Sequence, residues 1–251
     1  MKTFVLKINT KTIFTGDDCL KTIGIIGAMD EEIAFIKEIA EIVTAKNILG
    51  LDFYITKFGG NSVIIVKCGI GKVNAAACTQ VLIDHFSVDC VINIGVAGAV
   101  YKELNIGDVV ISTDALQHDM DVSALGDPVG TIPRMEESRF KADEELIALA
   151  EKAGEALENH KVYKGTVASG DQFIASSEAK NRIWNLFGAY CAEMEGAAVA
   201  HVCYLNKMPY VVIRSISDKA DEGADISYDE FTKIAAKNSS IILEGMLKNM
   251  Q

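Results

Sequence analysis

Apolar positions along this chain follow two periods. Short Ile- and Val-rich runs at Thr22–Gly27 (TIGIIG), Asp89–Ile94 (DCVINI) and Asp108–Thr113 (DVVIST) are too brief for helices and read as buried strands. Gly165–Ser169 and the apolar run Tyr210–Ile213 have the same character. Leu51–Lys57 and Ser62–Cys68 alternate on either side of Gly59-Gly60-Asn61, the pattern of a β-hairpin. Between these runs, helical spacing predicts Asp30–Ile42, Val73–Phe86, Lys141–Leu157 and Glu178–Leu186. A final helix is expected to open on a capping box, Ser227-x-x-Glu230. Strand and helix alternate from Thr22 onward, which predicts an α/β fold with one sheet covered by helices on both faces.

Two stretches break this rhythm. His118–Arg134 carries Pro128, Pro133 and several glycines without periodicity, and long irregular loops in compact domains are more often functional than not. Residues 1–21 form an extension whose apolar FVL is too short for a signal-peptide core and is followed by Lys7 and Lys11. It reads as an extra strand on the body or as a tail, leaving residues 22–251 as a single domain.

At 251 residues, with 49% apolar and 24% charged positions, the chain has enough length to bury a core without staples. No apolar run approaches the roughly 20 residues of a membrane helix. A net charge of −11 argues against nucleic acid or an anionic membrane as partner. The six cysteines form no C-x-x-C pair and mostly lie in apolar runs, so they read as reduced core residues of a cytoplasmic protein, with no zinc site.

Candidate chemistry concentrates where charges interrupt the apolar pattern. Ala192–Asp218 opens with Glu193, Met194 and Glu195 and closes with Arg214, Ser217 and Asp218, at the ends of segments that otherwise read as core. Charges there are costly unless paired or used. On a helix Glu193 and Glu195 would face nearly opposite ways, so one at most would serve a given site. Asp218 follows a strand, where α/β folds place ligands. It reads either as a turn aspartate or as an acid of raised pKa able to donate a proton.

Other motifs fit poorly. Gly24–Glu32 lacks the G-x-G-x-x-G spacing, and its three acids would repel a phosphate at the helix start. One of those acids either serves the helix dipole or faces a pocket for an uncharged ligand. Gly69–Lys72 lacks the upstream glycine of a phosphate loop, and Val73 stands where Ser or Thr would hold magnesium. His118-Asp119-Met120-Asp121 offers a single histidine to a metal. No G-x-S-x-G elbow supports triad hydrolysis. Ser169–Phe173 follows a strand and reads either as a plain turn or as a ligand contact in which Phe173 stacks on a ring.

Seven segments in order, IGIIGAMDEE, CGIGKVNAA, INIGVAGA, HDMDV, VASGDQFI, AEMEGAAVAHVC and VVIRSISDKAD, resemble the bacterial 5′-methylthioadenosine/S-adenosylhomocysteine nucleosidases of the nucleoside phosphorylase superfamily. The resemblance spans about residues 22 to 249. It implies a three-layer α/β/α sandwich around a mixed sheet, a homodimer, no metal or organic cofactor, and adenine thio-nucleosides as substrates whose N9–C1′ bond is hydrolysed. It further implies that Asp218, supported by Ser217, protonates adenine N7 and that Glu32 positions and deprotonates the attacking water. Glu195 would hold the ribose hydroxyls with Met194, and Arg214 nearby. Phe173 and the Ile174 backbone would embrace the adenine, with backbone contacts from Ala97 and Gly98. Met29, Ile70 and Tyr228 would line the pocket for the 5′-thio group.

The sequence departs from the family pattern at Val96, where Ser or Thr is frequent, at Leu125 in place of an aromatic, and at Tyr228 in place of phenylalanine. Residues 1–21 have no counterpart in it. An aminofutalosine hydrolase, a nucleoside phosphorylase, or a non-catalytic nucleoside-binding protein on the same fold are the rival readings.

Overall fold

The computed structural model describes residues 21–221 and 224–250; the expected extension over residues 1–21 lies, apart from Lys21, outside the described residues. β1 (Thr22–Gly27) leads through Met29 into α1 (Asp30–Ile39), and β2 (Glu41–Ile48), β3 (Leu51–Phe58) and β4 (Asn61–Lys67) follow as antiparallel neighbours. The predicted helix Asp30–Ile42 therefore ends early. Ala40 is already extended, and the β-branched run Ile42-Val43-Thr44 pairs with β3, with a register shift between Ile42 and Thr44. The β3–β4 hairpin turns through Gly59 and Gly60 at φ 59° and 87°, the two left-handed positions a tight hairpin needs.

After α2 (Lys72–Phe86), β5 (Cys90–Ala99) runs on through Gly95–Gly98, past the expected strand end at Ile94. β6 (Val109–Gln117) also outruns its predicted end. The 118–134 segment is irregular apart from a 3₁₀ turn at Ser123–Leu125. The predicted helix from Lys141 splits into a short strand, β7 (Arg139–Lys141), and α3 (Glu144–Gly154), because Asp143 caps α3 by accepting from the Leu146 N–H at 3.0 Å. β8 (Val162–Ser169), α4 (Ser177–Phe187), β9 (Cys191–Glu193), α5 (Gly196–Asn206), β10 (Tyr210–Asp218) and α6 (Ala224–Asn249) complete the chain. α6 begins before Ser227, so the expected capping box does not open it; the side chains of Ser227 and Glu230 lie outside those described.

All ten strands join one mixed sheet, in the order β10-β6-β8-β9-β5-β1-β4-β3-β2 with β7 on β6. β10 also pairs with β5, so β5, β9, β8, β6 and β10 close into a ring. Helices cover both faces, as expected. Ile33 and Ile36 of α1, Leu146 of α3 and Ile242, Leu243 and Met246 of α6 pack with Ile23 and Ile25 on one side. Ala75, Cys78 and Leu82 of α2 and Ala197–Ala200 of α5 pack with Ile26 on the other. The parallel strands β1, β5 and β10 bring their carboxyl ends together, and the site lies there.

Candidate active site

Four acidic residues from separate parts of the chain line one cavity of about 350 Å³: Glu32, Glu193, Glu195 and Asp218. Glu32 occupies the third helical position of α1, from which it bends back over the β1–α1 turn. One carboxylate oxygen accepts from the N–H groups of Ala28 at 2.6 Å and Met29 at 3.1 Å, and the other from Val96 N–H at 3.0 Å. Burial nevertheless holds its pKa above the ordinary value, against the lowering effects of Arg214 and these N–H bonds. Gly95 makes the approach possible: a Cβ there would stand 2.4 Å from the Glu32 carboxylate.

Glu193 and Glu195 do not share a helix, contrary to the sequence reading. Glu193 ends β9 and Glu195 is the N-cap of α5, because the chain turns at Met194 between a strand held by β5 and β8 and the helix. Both acids therefore line the cavity. Glu195 accepts from Gly71 N–H at 2.8 Å. The turn that failed as a phosphate loop thus presents a backbone donor to a carboxylate instead. Burial, reinforced by the charge of Glu193, pushes the Glu195 pKa up to about 8.

Glu193 is the anchor of the group. It accepts from the backbone N–H of Glu195 at 3.1 Å and of Gly196 at 2.8 Å, and from the hydroxyl of Ser169. Arg214 donates to it through Nε at 3.1 Å and Nη2 at 2.5 Å, and Nη2 also donates to Asn93 Oδ1 at 2.6 Å. Both partners of this ion pair are about 2% exposed at the side chain, so each depends on the other for compensation. Arg214 thus sits behind Glu193 and is not among the residues that line the cavity.

Asp218 closes β10 beyond a register shift between Ile216 and Asp218, which turns its side chain into the cavity. Its carboxylate accepts from Ala220 N–H at 2.8 Å and from the Ser217 hydroxyl at 2.9 Å. Burial raises its pKa despite those two bonds. A carboxyl so placed keeps its proton to higher pH and has a donor's chemistry.

Apolar groups complete the walls. Met29, Ile70, Ala97, Gly98, Phe173 and Met194 line the cavity, as do Ser217 and Tyr228. Ile174 is instead buried in a small cluster with Val100 and Ala220. The rings of Phe173 and Tyr228 meet edge to face with centroids 5.6 Å apart. Sequence reasoning missed what holds the acids, the N–H groups of Ala28, Val96, Gly71 and Ala220, and missed the Asn93 side-chain oxygen that accepts from Arg214. Backbone donors have no side-chain signature, so nothing in the sequence marked them.

The remaining acids singled out earlier have other partners. Asp119 is 2.6 Å from Lys72 Nζ, Asp121 is 3.8 Å from Arg182, and His118 is buried. Among the described residues no group of three or more His, Cys, Asp or Glu side chains gathers as a metal site, and no helix is long and apolar enough to cross a membrane.

Comparison with known proteins bears on the fold and the family. The family model described as the phosphorylase superfamily matches residues 22–248. A 5′-methylthioadenosine/S-adenosylhomocysteine nucleosidase of Bacillus anthracis is 41% identical over 230 residues, covering 91% of this chain and 99% of the relative. Among solved structures, the nucleosidase of that name from Neisseria meningitidis, in complex with methylthio-immucillin-A, is 42% identical, with a TM-score of 0.88 over 92% of this chain and 100% of that one. A futalosine hydrolase of Helicobacter pylori is 37% identical, with a TM-score of 0.87 over 91% of this chain and 98% of its own. The chain belongs to the 5′-methylthioadenosine/S-adenosylhomocysteine nucleosidase family of the phosphorylase superfamily.

Proposed function

We propose that the protein hydrolyses the N-glycosidic bond of 5′-methylthioadenosine and S-adenosylhomocysteine, releasing adenine and the 5-thioribose product. The observation that carries this reading is the convergence of Glu32, Glu195 and Asp218 on one mostly apolar cavity. Cleavage of the bond leaves positive charge on the ribose, and preorganised carboxylates stabilise it. Asp218, its protonated form favoured by burial and its orientation set by Ser217, protonates adenine N7 and makes the base a viable leaving group.

Glu32 positions the attacking water and accepts its proton. In the place of an incoming phosphate its charge favours hydrolysis over phosphorolysis. Acid and base on opposite sides of the scissile bond have the logic of an inverting glycosidase. Glu195 holds the ribose hydroxyls with Met194 beside it, and Arg214 serves through Glu193. Phe173 and the backbone of Ile174, Ala97 and Gly98 receive the base, and Met29, Ile70 and Tyr228 receive the 5′-thio group.

The reading includes a cytoplasmic homodimer. Supporting it, Val73 and Leu125 leave large apolar side chains 79% and 83% exposed, and Cys68, Cys78, Cys90, Cys191 and Cys203 are free and buried. The deciding assay follows adenine release from both thio-nucleosides and from aminofutalosine, with and without phosphate. Phosphate-independent release from the thio-nucleosides is expected. Formation of a ribose 1-phosphate, or release from aminofutalosine alone, would overturn the assignment.

A further inference from the structure

The cavity has a buried floor and an exposed rim. Glu32, Glu195 and Asp218 on the floor are nearly inaccessible, whereas Ile70 and Phe173 on the rim are 54% and 49% exposed. Met29 and Tyr228, both partly buried, stand between these levels. The Tyr228 hydroxyl donates to the thioether sulfur of Met29 at 3.0 Å, tying α6 to the β1–α1 turn. The same tyrosine ring meets Phe173 edge to face, so α6, the β1–α1 turn and the segment after β8 meet around one opening. A cavity of about 350 Å³ stands near the low end of ligand sites, and a long substituent on the sugar must extend past these side chains.

We propose that the Tyr228–Met29 contact is a clasp that sets substrate preference, favouring adenine nucleosides with a short 5′-thioether over those with a long one. The inference rests on the nucleosidase reading of this cavity. A methylthio group fits beneath the clasp and leaves the hydroxyl on its sulfur. A homocysteinyl group must part Tyr228 from Met29, and the entering substrate then bears the loss of that hydrogen bond. Phenylalanine at this position would keep the ring and its contact with Phe173 and remove only the tie. Leucine at position 29 would keep similar volume and remove only the acceptor.

The test measures kcat/KM for adenine release from S-adenosylhomocysteine and from 5′-methylthioadenosine in the wild type, Tyr228→Phe, Met29→Leu and the double variant. The ratio of the two kcat/KM values is expected to rise about three- to tenfold toward S-adenosylhomocysteine in each single variant, the scale of one hydrogen bond. The double variant should gain no more than either single one, because both remove the same contact. An unchanged ratio in Tyr228→Phe, a shift toward methylthioadenosine, or additive effects would overturn the clasp. A wild type that releases adenine from neither substrate would sink the nucleosidase reading and the clasp with it, whereas release with an unmoved ratio sinks the clasp alone.

Discussion

Replacing Gly95 by alanine tests the placement of Glu32 without substituting a titratable residue. Gly95 lies in β5 with φ outside the left-handed region, so an alanine backbone fits. The added Cβ would stand 2.4 Å from Glu32 Oε1, 3.0 Å from its Cδ and 3.3 Å from Arg214 Nη1. Ordinary van der Waals contact begins at 3.4 Å, so the carboxylate must move by about 3.4 − 2.4 = 1.0 Å. Such a move lengthens the 3.0 Å bond from Val96 N–H and disturbs those from Ala28 and Met29. A misplacement on the order of 1 Å costs about 10²-fold in rate when the group positions a reactant. Steady-state adenine release should therefore fall about 100-fold in kcat. Adenine affinity should change little, since Asp218 and Phe173 are not displaced. Circular dichroism and the denaturant midpoint would establish that the variant folds. A folded Gly95→Ala protein with kcat within about threefold of wild type would refute the role given to Glu32.

Three further outcomes follow from the same geometry. Asp218→Asn should lower kcat by about 10²–10⁴ while calorimetry still detects binding of a non-hydrolysable thio-nucleoside, and unchanged turnover would remove Asp218 as the acid. Arg214→Met should destabilise the fold by about 3–5 kcal/mol in denaturant titrations, since Glu193 is left buried without its cation, and adding Glu193→Gln should restore part of that loss. For Glu195 the folded pKa, about 8, exceeds the ordinary 4.5, so the folded protein binds a proton that the unfolded chain has released. Its contribution to stability is complete below the ordinary value and is lost as pH rises through the folded one. Glu195→Gln should therefore gain stability relative to wild type between about pH 5 and about pH 8, and an identical pH slope of the two melting temperatures would contradict this.

The sequence showed most clearly those features that a local pattern encodes. β1, the β3–β4 hairpin and α2 are found where Ile–Val runs, Gly59-Gly60 and helical spacing put them. β2, β7 and β9 were hidden, because their conformations depend on partners distant in sequence. Glu41–Ile48 has little burial: Glu41 and Ile42 looked like the tail of a helix, and the rest carried no strand signal until β3 is seen beside it. Cys191–Glu193 is a strand only because β5 and β8 flank it, and that short strand changes where Glu193 and Glu195 point. Arg214 was visible as a charge within an apolar run, yet only the fold shows that Glu193 and Asn93 hold it back from the cavity. The carboxylates themselves were legible because a charge beside a core demands a reason, while the N–H groups that hold them were not.

Closure of β5, β9, β8, β6 and β10 into a ring also determines how this protein avoids sticking to itself. A closed ring has no border strand, so the sheet's long unpaired border among the described residues falls on β2, with Ile42 and Val43 46% and 49% exposed. Such a border is a template for aggregation. The irregular register at Ile42–Thr44 and the charges of Glu41 and Lys46 are the features that blunt it. The acids that need a rigid frame stand in and beside the closed half of the sheet, and the hazard of an open border is confined to a strand that contributes nothing to the cavity.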